Sequence, residues 1–76
     1  MQSYWIDVEG SLGVGITACS ETDALEIFEA AFGLPATRAS LVRSADELDQ
    51  GHVIPNMGNW LKRGIWFPRG HEHISN

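Results

Sequence analysis

The chain has 76 residues, a net charge of −5 and 43% hydrophobic residues. That length gives one domain. The apolar share excludes a disordered chain, five Lys and Arg against ten Asp and Glu exclude a nucleic-acid surface, and a single cysteine excludes an internally disulfide-stapled scaffold.

The opening "MQSYWIDVEG" has neither a basic segment nor a long apolar run, so no secretory signal is expected there. No stretch approaches the ~20 apolar residues of a membrane helix. The expectation is a soluble, cytoplasmic protein. Charge is uneven along the chain. Residues 1–50 hold nine acids and two bases, residues 51–76 one acid and three bases. If the acids share a face, they steer a basic partner.

Residues 4–9, "YWIDVE", alternate: Tyr4, Ile6 and Val8 point one way, Trp5, Asp7 and Glu9 the other. That pattern predicts a half-buried strand. A glycine-rich turn over residues 10–13 leads to a second alternating run over residues 14–19, with Val14, Ile16 and Ala18 on one face, completing a hairpin. Its other face carries only small side chains: Gly13, Gly15 and Thr17. The G-x-x-G-x-G spacing over residues 10–15 reverses the dinucleotide fingerprint and does not open a helix directly, so a phosphate role is set aside.

A helix is predicted over residues 21–32. Ser20 suits the N-cap with Asp23 three residues on. Ala24, Leu25, Ile27, Phe28, Ala31 and Phe32 form an apolar stripe, and early acids suit the helix dipole. Gly33 suits the left-handed position after the helix, Leu34 the hydrophobic contact beyond it, and Pro35 blocks continuation. Residues 37–43 read as a third strand with Ala39 and Leu41 facing the core. Residues 44–49 read as one helical turn capped by Ser44. Gly64, Ile65, Trp66 and Phe67 form a fourth strand stopped by Pro68.

The fold expected is α+β: a small single-layer sheet of about four strands, antiparallel or mixed, packed on one main α-helix in β-β-α-β-β order. The crossover through the helix allows the second and third strands to run parallel. A single domain is assigned to residues 1–70 and a flexible tail to residues 71–76.

Residues 52–68, "HVIPNMGNWLKRGIWFP", have neither helical period nor clean alternation. Val53, Ile54, Met57, Trp60, Ile65 and Phe67 are expected to close the core. One helix covers only one face of a sheet, which leaves aromatic area over. Alternation in the last strand puts Ile65 and Phe67 inward and Trp66 outward. Trp60, Arg63, Trp66 and Trp5 are therefore the candidate partner-binding residues, because exposed aromatics beside Arg and Lys have hot-spot composition.

The segment "LDQGHVIPNMGNWLKRGIWFP" resembles the C-terminal part of a family of small uncharacterised bacterial proteins. "YWIDVEG", "GVGITA" and "SETDAL" resemble its earlier parts, so the likeness covers residues 4–68. The resemblance implies no activity and no site residue. It marks only Asp49, His52, Pro55-Asn56-Met57, Arg63-Gly64 and Trp66-Phe67-Pro68 as parts of a family pattern.

Catalytic constellations are thin. Cys19 at a helix start with His52 as base lacks an oxyanion hole and an orienting group, so a buried structural cysteine is expected. Asp46, Glu47 and Asp49 on one polar turn read as capping and solubility rather than acid–base chemistry. His71-Glu72-His73 can present two imidazoles to a metal, but no spacing completes a four-ligand set. The reading is a non-catalytic protein-binding module, not an enzyme: inhibitor-, immunity- or antitoxin-like, docking on a larger bacterial protein through an aromatic patch and an acidic surface. No cofactor and no metal are expected; a protein partner is, and a homodimer stays open. The alternative is a metal- or small-ligand-binding accessory protein using His52 and His71-Glu72-His73.

Overall fold

The computed structural model describes residues 1–8, 13–34 and 38–68. It contains strands β1 (Gln2–Ile6) and β2 (Val14–Ala18), helix α1 (Glu21–Phe32), and strands β3 (Ser40–Val42) and β4 (Gly64–Phe67). Short 3-10 turns occupy Ala45–Glu47 and Ile54–Asn56. The β-β-α-β-β order is the one expected. The sheet runs β3-β1-β2-β4, and every neighbouring pair is antiparallel. β2 and β3 do point the same way, but β1 lies between them, so the parallel pairing that the crossover allowed does not form. The tail expected over residues 71–76 lies outside the described residues.

The helix forms where capping and stripe agree. The Ser20 side chain accepts the Asp23 N–H at 3.1 Å. Gly33 takes φ 68°, a left-handed conformation that glycine adopts without a Cβ penalty, and its N–H donates to the Glu29 carbonyl. Ala24, Ile27 and Phe28 are buried, and Phe28 stacks on Phe32 with ring centroids 5.1 Å apart. Two expectations fail at the helix end. Ala31 is exposed, and Leu34 is 48% exposed instead of closing a contact beyond Gly33.

α1 lies over β2 and reaches β4. Under it, Tyr4, Ile6, Val14, Ile16, Ala18 and Ile65 pack with the helix in one core cluster. Because α1 does not extend over the β3 side, Leu41 remains 39% exposed, although its pairing with Tyr4 places it on the helix-side face. The expectation that Leu41 is a core residue is thus corrected. Ala39 is buried as expected, and Val42, on the opposite face, is the buried residue of β3.

The reverse face of the sheet has its own core: Val42, Leu48, Val53, Trp66 and Phe67, with Trp5, Ile54, Met57 and Trp60 half-buried around them. Its construction overturns the outward placement of Trp66. On β2, Gly15 pairs with Phe67 and the next residue, Ile16, pairs with Ile65. One step on β2 therefore meets two on β4, and Trp66 is the extra residue of a β-bulge. A bulge breaks alternation. Ile65 faces the helix, while Trp66 and Phe67 both join the reverse face. Trp66 is 0% exposed, the largest fully buried side chain.

The space for that ring comes from β2. A Cβ at Gly15 would stand 2.4 Å from two atoms of the Trp66 six-membered ring and 2.6 Å from a third. Gly15 is therefore the floor on which the indole lies. Trp5 and Trp60 flank it, each with its ring centroid 6.1 Å away, and Trp60 meets it edge-on at 85°. Among the described residues, the buried Trp66 Nε1 finds no hydrogen-bond partner, a cost of about 1–3 kcal/mol. Removing a buried Phe or Trp side chain costs about 3–5 kcal/mol, so packing outweighs the unpaired N–H.

Gly15→Ala should destabilise the protein by about 3 kcal/mol or more, the upper range for overpacking, because the ring has nowhere to move. Gly33→Ala meets no neighbour and should cost only about 1 kcal/mol, for its backbone conformation. Urea unfolding of the two variants tests the difference; equal losses would show that Trp66 does not rest on Gly15.

Candidate partner-binding surface

The chain returns from the 3-10 turn at Ala45–Glu47 through a loop organised by Asp49. Its carboxylate accepts the N–H groups of Gly51 and His52 at 2.8 and 2.9 Å, and its carbonyl accepts those of Val53 and Ile54 at 3.1 Å. The His52 and Gly51 amides hold the Asp49 carboxyl below its ordinary range. Val53 can then enter the reverse-face core while the polar turn stays in solvent. Farther on, the Gly58 N–H donates to the Trp66 carbonyl, and the Thr17 hydroxyl donates to the Trp60 carbonyl. These two bonds pin the loop to β4 and β2. Within the same loop, the Asn59 side chain accepts the Leu61 N–H at 2.9 Å, an Asx turn. This turn leaves Leu61 78% exposed.

Arg63 sits elsewhere. Its guanidinium grips the Asp23 carboxylate with two nitrogens, Nε at 3.0 Å from Oδ2 and a terminal nitrogen on Oδ1. Asp23 Oδ2 also accepts the Cys19 N–H at 2.9 Å. The Asp23 carboxyl therefore lies below its ordinary value of 3.8, first because of Arg63 and then because of the Cys19 amide. The pair ties the β4 entry to the start of α1. Cys19, expected to be buried, is exposed beside this clamp; the strand has ended and the helix has not yet covered it.

Of the four residues expected to bind a partner, Trp5, Trp60 and Trp66 are brought together, but as one packed aromatic cluster with Trp66 at its centre. Trp66 is corrected from a surface residue to a core residue, because the bulge turns it inward. Arg63 is half-buried and occupied by Asp23. Trp5 and Trp60 are half-buried, each at the edge of a shallow hollow. The first, ≈ 280 Å³, has Met1, Val42, Arg43, Trp60 and Leu61 around it. The second, ≈ 320 Å³, has Trp5, Val42, Glu47, Leu48, Asp49 and Val53. Val42 is common to both, so the hollows adjoin as one strip on the reverse face; Arg43 lines the first and Glu47 and Asp49 the second, and the two sets meet where the Arg43 N–H donates to Glu47 Oε1 at 3.1 Å.

Met1, at 70% exposure, and Leu61 are the apolar residues of this strip that sequence reading missed. The signal for Leu61 was available: "NWLKRG" places a leucine inside a turn, where no strand or helix turns it inward. Among the described residues, no three His, Cys, Asp or Glu side chains converge as a metal site. His52 leans on Asp49 with Nδ1 at 3.4 Å, and His71-Glu72-His73 lie outside the described residues. No described helix is long and apolar enough to cross a membrane. Compared with protein-family models, curated proteins and solved structures, the chain matches none.

A depressed carboxyl pKa contributes stability that is complete above the ordinary value and lost as pH falls through the lowered one. Asp23→Asn should therefore lower Tm at pH 7, by about 5 °C for a domain this small. The gap to the wild type should begin to narrow as pH falls below the ordinary value of 3.8 and close only once pH has passed through the lowered value, where the wild-type carboxylate is itself protonated. Thermal melts across that range check the sign; a gap that persists unchanged in acid would show that the Arg63 clamp is not the source of the loss.

Proposed function

We propose that this protein is a non-catalytic protein-binding module, of the inhibitor, immunity or antitoxin kind, docking on a larger protein through the reverse-face strip. The observation carrying this reading is Leu61, 78% exposed and held out by an Asx turn next to half-buried Trp60. A large aliphatic side chain in that position contributes nothing to the fold's own core, whereas a protein partner can desolvate it completely. Arg43 and Lys62 are exposed near it, and Glu47, which accepts the Arg43 N–H, and Asp49 are exposed farther along. Charges of both signs around an apolar strip favour a partner that carries complementary charges. The net charge of −5 adds attraction toward a basic partner.

The aromatic cluster behind the strip supports the same reading. Trp5 and Trp60 are braced by Trp66, so their exposed edges meet a partner in one geometry with little side-chain entropy left to lose. Trp66 acts through them as a support, not as a contact.

Leu61→Asp separates folding from binding because the side chain is mostly in solvent. Its Tm should stay within about 2 °C of the wild type, as for a surface substitution. Its affinity for a partner captured from a lysate of the source cell should fall at least about tenfold, the effect of losing a centrally placed apolar anchor. A captured protein that binds Leu61→Asp as tightly as the wild type would refute the placement of the site.

A further inference from the structure

The two outer edges of the sheet are finished differently. At β4, the Gly58 N–H occupies the Trp66 carbonyl, the bulge interrupts the ladder, and Pro68 follows with no N–H to offer. Such an edge resists another strand. At β3 the finish is partial. The Ala39 N–H donates to Glu21 Oε2 at 3.0 Å, and the Arg43 N–H donates to Glu47 Oε1 at 3.1 Å. In an antiparallel strand, alternate residues turn their amides to the same side. Leu41, midway between them, therefore turns its N–H and C=O to the same open edge. Its side chain is 39% exposed beside a hollow of ≈ 590 Å³ bordered by Tyr4, Glu21, Arg43 and Glu47.

We propose that β3 is a self-pairing edge, to which a second copy of the chain adds antiparallel, with the two Leu41 residues opposite each other on a two-fold axis. Charge selects a second copy as the occupant. One end of the edge carries Glu21 and Arg38, the other Arg43 and Glu47. Neither arginine has a carboxylate partner among the described residues. Antiparallel pairing about Leu41 sets residue 43 of one copy opposite residue 39 of the other. Glu21 then meets Arg43 of the second copy, and Glu47 meets its Arg38, at both ends. The second copy's main chain takes over the Ala39 and Arg43 amides, so each carboxylate exchanges an N–H for a guanidinium. The Leu41 amides and carbonyls bond reciprocally, and the two leucine side chains cover each other on the helix side. An isologous contact of this kind closes on itself and leaves no further β3 edge to propagate.

The contact is short and falls at the low end of specific interface sizes, so association is expected on the order of 10–100 µM. Sedimentation equilibrium of the whole chain from about 10 µM to about 1 mM spans that range. The wild-type mass should rise from 8.4 kDa toward twice that value. Leu41→Asp, at an exposed position, should keep its helical circular dichroism and remain monomeric throughout. Arg43→Glu and Glu21→Arg each oppose like charges when self-paired and should be monomeric alone. An equimolar mixture of the two variants restores unlike charges at both ends and should dimerise as the wild type does. A wild-type chain still at 8.4 kDa at the highest concentration, whether or not it accepts strands from other proteins, would overturn the proposal. So would a Leu41→Asp chain that dimerises like the wild type, or a folded pair of charge variants whose mixture stays monomeric.

Discussion

The reverse face of this sheet depends on one contact: the Trp66 indole lying on Gly15. A Cβ at Gly15 would enter the ring, so the flat floor on β2 and the buried indole require each other. The bulge on β4 is the backbone adjustment that turns Trp66 onto that floor. Everything else on the face is arranged around it. Trp5 and Trp60 pack on its two sides, Val53 enters from the Asp49 loop, and Gly58 bonds to the Trp66 carbonyl itself. A domain this small buries only about 60–65% of its unfolded surface, so one large ring carries an unusual share of the apolar burial. That burial offsets an indole N–H left without a partner among the described residues.

The helix side was written locally and could be read locally. Ser20, the apolar stripe and Gly33 delimit α1 at Glu21–Phe32, and alternation locates β1, β2 and β4. The reverse side was not legible in the same way because its determinant is a relation between strands. Alternation from Ile65 puts Trp66 outward, and only the pairing of Gly15 with Phe67 shows the inserted residue. The signal lay on the other strand. Gly13, Gly15 and Thr17 leave an unfilled face on β2, and an unfilled face in a thin core calls for a large side chain from elsewhere. Leu41 and Val42 fail for a related reason. Their pattern is compatible with either face, and the position of α1 over β2 decides which one is covered.

The same logic limits what the aromatic residues can do. Surplus aromatic area, inferred from composition, is mostly absorbed by the second core. What remains for a partner is the outer edges of Trp5 and Trp60 and an aliphatic residue, Leu61, that composition did not single out. Arg63 illustrates the distinction between residue type and role. Arginine beside tryptophan has hot-spot composition, yet here the guanidinium is held by Asp23 across the fold. Its contribution to a surface is indirect, through the anchored end of the loop that presents Leu61.

That loop is held at both ends by interactions with the scaffold and shaped inside by the Asn59 Asx turn. Thr17 and Trp66 hold its main chain at Trp60 and Gly58, and Asp23 holds Arg63 just before β4. Leu61 and Lys62 are left in solvent, where the Asn59 side chain shapes the backbone through the Leu61 N–H. A short exposed turn clamped at both ends by buried groups is preorganised, and preorganisation lowers the entropy that binding must overcome. Stability and recognition are therefore assigned to neighbouring residues of one segment: Trp66 and Arg63 secure the turn, and Leu61 with the edge of Trp60 is what the turn displays. Sequence alternation alone assigns Trp66 to recognition. The bulge reverses that assignment and passes it to the turn.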